Sequence, residues 1–107
     1  MAETGKTCEV HGRVTGKHGR EVSGVKVIVW WQHIRVRRVL VVGETNGHGY
    51  YRLRYPVPEH FPGKVLIVVG ASSEELEQPL ESEPLEAQPE LRVDLARGGK
   101  IYLLSAG

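Results

Sequence analysis

Apolar residues recur at every second position in one segment after another, and glycine or proline breaks the pattern about every ten residues. No other feature constrains the fold as strongly, because period two is the side-chain repeat of a β-strand. Cys8, Val10, Gly12 and Val14 share one face of the first stretch, and Glu9, His11 and Arg13 share the other. In Val25 to Trp31, the longest apolar run of this kind, Val25, Val27, Val29 and Trp31 form one face and Lys26, Ile28 and Trp30 form the other. The second face is not polar throughout, so it is expected to be covered or sticky. Further strands are predicted at Val39 to Glu44, Tyr50 to Tyr55, Val65 to Val69, Gln78 to Ser82 and Leu91 to Leu95. In Tyr50 to Tyr55, Tyr51 and Leu53 point inward and Arg52 and Arg54 outward.

The punctuation has its own chemistry. Thr15 to Gly19 reads as a turn, as does Thr45-Asn46-Gly47-His48-Gly49, because Asn and Gly tolerate positive φ. Pro56-Val57-Pro58 is expected to stop its strand. Phe61 in the following loop is an expected anchor at one end of the core. Pro79, Pro84 and Pro89 limit any helix near Glu74-Glu75-Leu76-Glu77 to a single turn. Gln32 to Arg38 reads as a strand end or connecting loop. These signals predict an all-β fold: a seven-stranded antiparallel Greek-key sandwich over residues 8–95. Residues 1–7 are then a tail, and residues 96–107 a tail or an added strand.

Composition agrees: 15 Val against 5 Ala, with 13 Gly and 6 Pro in 107 residues. The single cysteine, Cys8, forms no internal disulfide, and no apolar run is long enough for a membrane span. Met1 to Lys6 lacks the apolar stretch of a signal peptide. The net charge of +1 argues against a dedicated nucleic-acid binder, but the total hides an asymmetry. Residues 1–64 hold 11 basic and 5 acidic residues, whereas residues 65–107 hold 3 and 8. A basic docking face is compatible with that distribution.

A more specific pattern runs through Val10-His11-Gly12-Arg13-Val14, Gly19, Val22-Ser23-Gly24-Val25-Lys26-Val27, Glu44-Thr45-Asn46 and Gly49-Tyr50-Tyr51-Arg52-Leu53. It resembles the carboxypeptidase regulatory-like (transthyretin-like, prealbumin-like) domain family, over about residues 8–95. Val22 stands where the family often has Leu, and Asn46 where it usually has Asp. Gly12 would admit a neighbouring chain or a large ring, and Gly24 a tight bend before the second strand. Thr45 and Asn46 would cap a turn, with Gly49 at positive φ. Thr45 to Tyr55 followed by Pro58-Glu59-His60-Phe61, a Pro/Glu-rich linker and Arg92-Val93-Asp94-Leu95 is similar to accessory domains of bacterial toxin-complex A-subunit-like proteins. The resemblance therefore implies a structural or interaction module of a larger assembly. The family's fold also hosts hydroxyisourate hydrolases, which carry a C-terminal Tyr-Arg-Gly-Ser tail. This chain ends Tyr102-Leu103-Leu104-Ser105-Ala106-Gly107, without that motif.

Candidate chemistry is sparse. His11, His18, His33, His48 and His60 show no His-x-His or His-x-x-x-His spacing, and one cysteine does not complete a structural zinc site. The residues thus point to no catalytic group, metal or cofactor. An isopeptide bond between Lys26 and Asp94 would need both buried, whereas alternation puts both on outer faces. The binding candidates are Ile28 and Trp30 with Arg35, Arg37 and Arg38, joined by Arg52 and Arg54 if their strands pair. Arginines on such a face suit an acidic protein surface. The seven glutamates of residues 74–90 would face a basic partner or the domain's own arginines. A second reading is a glycan- or receptor-binding module using Trp30 and Tyr50; neither reading involves nucleic acid.

Overall fold

The computed structural model describes residues 5–16, 19–58, 65–73, 76, 79–96 and 99–103. Phe61, His18, His60, Glu59 and the glutamates at 74, 75 and 77 lie outside them. The described residues form an all-β sandwich of nine strands: β1 (Gly5–Thr15), β2 (Lys26–Gln32), β3 (Arg37–Glu44), β4 (Tyr50–Pro58), β5 (Leu66–Ser72), β6 (Leu80–Glu81), β7 (Leu85–Glu86), β8 (Glu90–Ala96) and β9 (Gly99–Leu103). One sheet has the order β4-β1-β8-β9 and the other β3-β2-β5-β6, with β7 also pairing β5.

The count exceeds the expected seven for two local reasons. Of the edge strand foreseen at Gln78 to Ser82, Leu80–Glu81 forms as β6, Gln78 lies outside the described residues, and a further two-residue strand, β7, follows beyond Ser82. Between them, the buried Ser82 hydroxyl accepts from the Val69 amide at 3.0 Å and donates to the Glu83 carbonyl at 2.9 Å. Residues 99–103 add β9, which pairs antiparallel with β8. The first strand also begins earlier than expected, at Gly5. Nor do Pro56 and Pro58 end β4, which runs through both. That strand lies at the edge of its sheet, where a missing N–H breaks no second ladder.

One pairing departs from the antiparallel expectation: β1 and β8 run parallel, joining His11 to Arg92 and Val14 to Leu95. The ladder is interrupted at Gly12. A Cβ there would overlap the Val93 carbonyl oxygen, so only glycine permits the approach. Two side chains satisfy the released backbone groups. The Tyr51 hydroxyl donates to the Val93 carbonyl at 2.5 Å, and the Arg13 amide donates to Asp94 Oδ1 at 3.0 Å. Burial pushes the Tyr51 phenol well above its usual range, and the nearby Asp94 charge adds to the shift.

The β3–β4 turn follows from its side chains. Thr45 is buried, its hydroxyl accepting from the Val25 amide at 3.0 Å and donating to the Val22 carbonyl at 2.8 Å. Asn46 Oδ1 accepts from the amides of His48 and Tyr50 at 2.9 and 3.0 Å. Gly24 and Gly49 take φ of 68° and 82°, where an L side chain is strained. The inward positions then close the core: Val10, Val14, Val25, Val27, Val29, Tyr55, Ile67, Val69, Leu91, Val93 and Leu95 are almost fully buried. Each such side chain contributes roughly 1.5–3 kcal/mol, offset by the conformational entropy lost on folding.

Candidate functional site

The two outer faces of the sandwich differ in chemistry. On the β4-β1-β8-β9 sheet the outer face is charged and internally paired. Arg52 pairs with Glu9, and Arg54 Nε lies 3.7 Å from the same carboxylate. His11 is 3.4 Å from Glu90, Arg92 is 3.2 Å from Asp94, and Arg13 pairs with Glu21. The Arg13 guanidinium also lies over the Tyr50 ring, 5.2 Å from the centroid and within cation–π reach of about 6 Å.

The outer face of the other sheet is mostly apolar. Alternation along β2 turns Val27 and Val29 inward and leaves Ile28 and Trp30 half-buried on the outside. In register with them stand Val42 and Val39 on β3 and Gly70 and Val68 on β5. Trp30 packs against Gly70, where a Cβ would come within 2.6 Å of the ring. From β3, Arg37 reaches across Trp30, its guanidinium 5.1 Å from the ring centroid, to Glu81 on β6. Its two terminal nitrogens, Nη1 and Nη2, donate at 3.1 and 3.0 Å to the Glu81 carboxylate oxygens. That hydrogen bond, with the Glu81 charge, holds the Arg37 pKa above its usual value. So one glutamate of the acidic segment faces one of the domain's own arginines.

Beyond Gln32 the chain turns through His33 to Val36, closed by the His33 amide donating to the Val36 carbonyl at 2.8 Å. The His33 ring packs on Trp31, centroids 4.4 Å apart. An open cleft of about 770 Å³ lies at this hairpin, bordered by Trp31, Ile34, Arg35, Val36 and Arg38. Ile34 is 97% exposed, Val36 61%, Val39 53% and Val42 51%, so four of the five large exposed apolar side chains of the described residues fall within nine positions.

The structure therefore joins only part of the group singled out in the sequence. Ile28, Trp30 and Arg37 share one face, with Arg35 and Arg38 at its hairpin end. Arg52 and Arg54 lie on the opposite face of the sandwich, because β4 pairs with β1 and not with β3. The conditional basic patch across β3 and β4 does not form. Lys26 is on the outer face of one sheet and Asp94 on the outer face of the other, so the core lies between the two ends of the considered isopeptide bond. Among the described residues no three of His, Cys, Asp or Glu converge, and no helix is long and apolar enough to cross a membrane. Ile34 and Val36 were missed as surface residues. Their signal was the apolar–basic alternation of Ile34-Arg35-Val36-Arg37 in a segment read as a connection.

No protein-family model matches the chain, and no curated protein does. Among solved structures it is similar to the dioxygenase domain of a dioxygenase carbohydrate-binding protein fusion from the cellulolytic bacterium Streptomyces sp. SirexAA-E. The TM-score is 0.52 at 20% identity, over 86% of this chain and 77% of that one. At such identity the likeness concerns the fold and carries no chemistry across.

Proposed function

We propose that the domain is a non-enzymatic docking module. It binds a protein partner through the outer face of the β3-β2-β5-β6 sheet and the β2–β3 hairpin. The observation that carries this reading is the concentration of exposed Ile34, Val36, Val39 and Val42 beside Arg35 and Arg38. Contiguous exposed apolar surface on a small domain marks an interaction site. Neither of those two arginines has an ion-pair partner among the described residues, in contrast to the neutralised arginines of the opposite face. A partner with an apolar centre and an acidic rim fits this surface. The turn chemistry at Gly24, Thr45, Asn46 and Gly49 supports membership of the carboxypeptidase regulatory-like, prealbumin-like group. On that reading the chain serves as an accessory module of a larger, toxin-like or surface assembly. A glycan platform at Trp30 is less well supported, since Arg37 occupies the ring face that a sugar would need.

A photo-crosslinking residue placed at Ile34 or at Arg54 in the native host tests the reading. Adducts to a different protein are expected from Ile34 and not from Arg54. Equal adducts from both positions, or none from Ile34, would overturn it.

A further inference from the structure

We propose that the free edge of β3 is the contact between two copies of this chain, paired antiparallel about a two-fold axis. The edges differ in how they are protected. β4 carries Pro56 and Pro58 with the charged Arg52 and Arg54, and β6 is two residues long. β3 is eight residues long, lacks proline and, among the described residues, pairs only with β2. Native proteins rarely leave such an edge bare, because its unpaired N–H and C=O groups template another strand.

A bulge makes the edge self-complementary. The β2–β3 register shifts between Val29 and Trp30, from Val29 opposite Val41 to Trp30 opposite Val39. One extra β3 residue is accommodated there, which reverses the parity of the strand. Outward positions are therefore the odd residues Arg37 and Val39 before the bulge and the even residues Val42 and Glu44 after it. In a strand, the residues that face one side of the sheet also direct their backbone groups to one edge. The Thr45 amide donates to the Val25 carbonyl at 3.0 Å, so Val25 and, two and four residues on, Val27 and Val29 aim their backbone groups at β3, where they meet Gly43 and Val41; the outward residues of β3 therefore aim theirs at the open edge. Antiparallel pairing that sets Val39 opposite Val42 of the second copy also sets Arg37 opposite Glu44. Every outward residue then meets an outward residue: valine meets valine, and Glu44 meets Arg37, whose guanidinium is turned to Glu81 within its own chain and would be shared with Glu44 of the second copy. A strand without the bulge would place these same pairs on opposite faces.

The pairing leaves the hairpin cleft and the outer face open, and it doubles that face into one continuous surface. It thus goes beyond the docking reading and is tested without any partner.

Sedimentation of the isolated chain from micromolar to several hundred micromolar is expected to show a reversible dimer. Glu44→Arg, which sets like charges opposite Arg37 twice, should weaken the dimer roughly tenfold. Val42→Lys should weaken it as well, with the circular dichroism spectrum of the fold unchanged. Register is read by cysteine pairing. A mixture of Val39→Cys and Val42→Cys chains should cross-link between variants, since directly opposed residues lie within disulfide reach at about 5.5 Å. Each variant alone should not, as like positions fall about 10 Å apart along the strand. A monomer throughout that range overturns the proposal, as does a dimer indifferent to Glu44→Arg and Val42→Lys or one that cross-links equally in each single variant. A monomer would instead leave the edge to an extended segment of another protein.

Discussion

Replacing Tyr51 by Phe probes the point where the two halves of the chain are joined. The ring stays, so no cavity opens; only the hydroxyl is lost. That hydroxyl is buried and holds the Val93 carbonyl at 2.5 Å, where the β1–β8 ladder is interrupted beside Gly12. With Phe the carbonyl keeps its burial and loses its donor. An unsatisfied buried acceptor costs about 1–3 kcal/mol, so a loss near 2 kcal/mol is expected. The melting temperature should fall by on the order of 10 °C. Urea denaturation at one low protein concentration, followed by tryptophan fluorescence, measures the change. Tyr50→Phe is the control, because its side chain is 46% exposed and its loss should fall within about 0.5 kcal/mol. Alkaline titration supplies a second readout. The folded Tyr51 phenol titrates above its ordinary value of 10.0, so the protonated form is the one the fold stabilises. Its contribution is complete below pH 10 and is lost as the pH rises toward the folded value. Stability should therefore fall above pH 10, at up to about 1.4 kcal/mol per pH unit for each buried tyrosine. Tyr55, raised by burial and by Cys8 beside it, contributes to the same decline. Tyr51→Phe should make the decline shallower while lowering stability at neutral pH. A variant as stable as wild type at pH 7, with an unchanged alkaline slope, would refute the role given to the phenol.

Other perturbations separate rigid from yielding contacts. Gly12→Ala should cost more than about 3 kcal/mol or prevent folding, as its Cβ meets backbone, whereas Gly43→Ala meets the movable end of Leu53 and should cost about 1–2 kcal/mol. Chemical denaturation of the two variants decides, and equal losses would contradict the distinction. Thr45→Val removes the partner of both the Val25 amide and the Val22 carbonyl, for an expected loss of about 2–4 kcal/mol in the same assay. A double-mutant cycle on Arg37 and Glu81 should return under about 1 kcal/mol, since both groups are more than a third exposed. A coupling several times larger would show that the pair organises the sheet beyond its own contact.

The sequence read on its own already resolved what is local. Alternation placed Val10, Val27, Val29 and Val93 inside and Lys26, Ile28, Trp30, Arg52 and Arg54 outside, because side-chain direction follows from the two-residue repeat of a single strand. Thr45, Asn46 and Gly49 act within a few residues of themselves, so their turn was equally legible. Strand partnership was not. Backbone donors and acceptors are the same at every position, so no side chain announces that β1 lies parallel to β8 or that β4 pairs with β1 and not β3. Those pairings sent Arg52 and Arg54 to the face opposite Arg37 and gave each a carboxylate neighbour. The β2–β3 bulge also escaped the pattern, since one inserted residue only resembles a lapse in alternation until the neighbouring strand fixes the register. Which residues face in was thus a property of each segment; which face is free, and which edge is bare, depended on contacts between segments far apart in the chain.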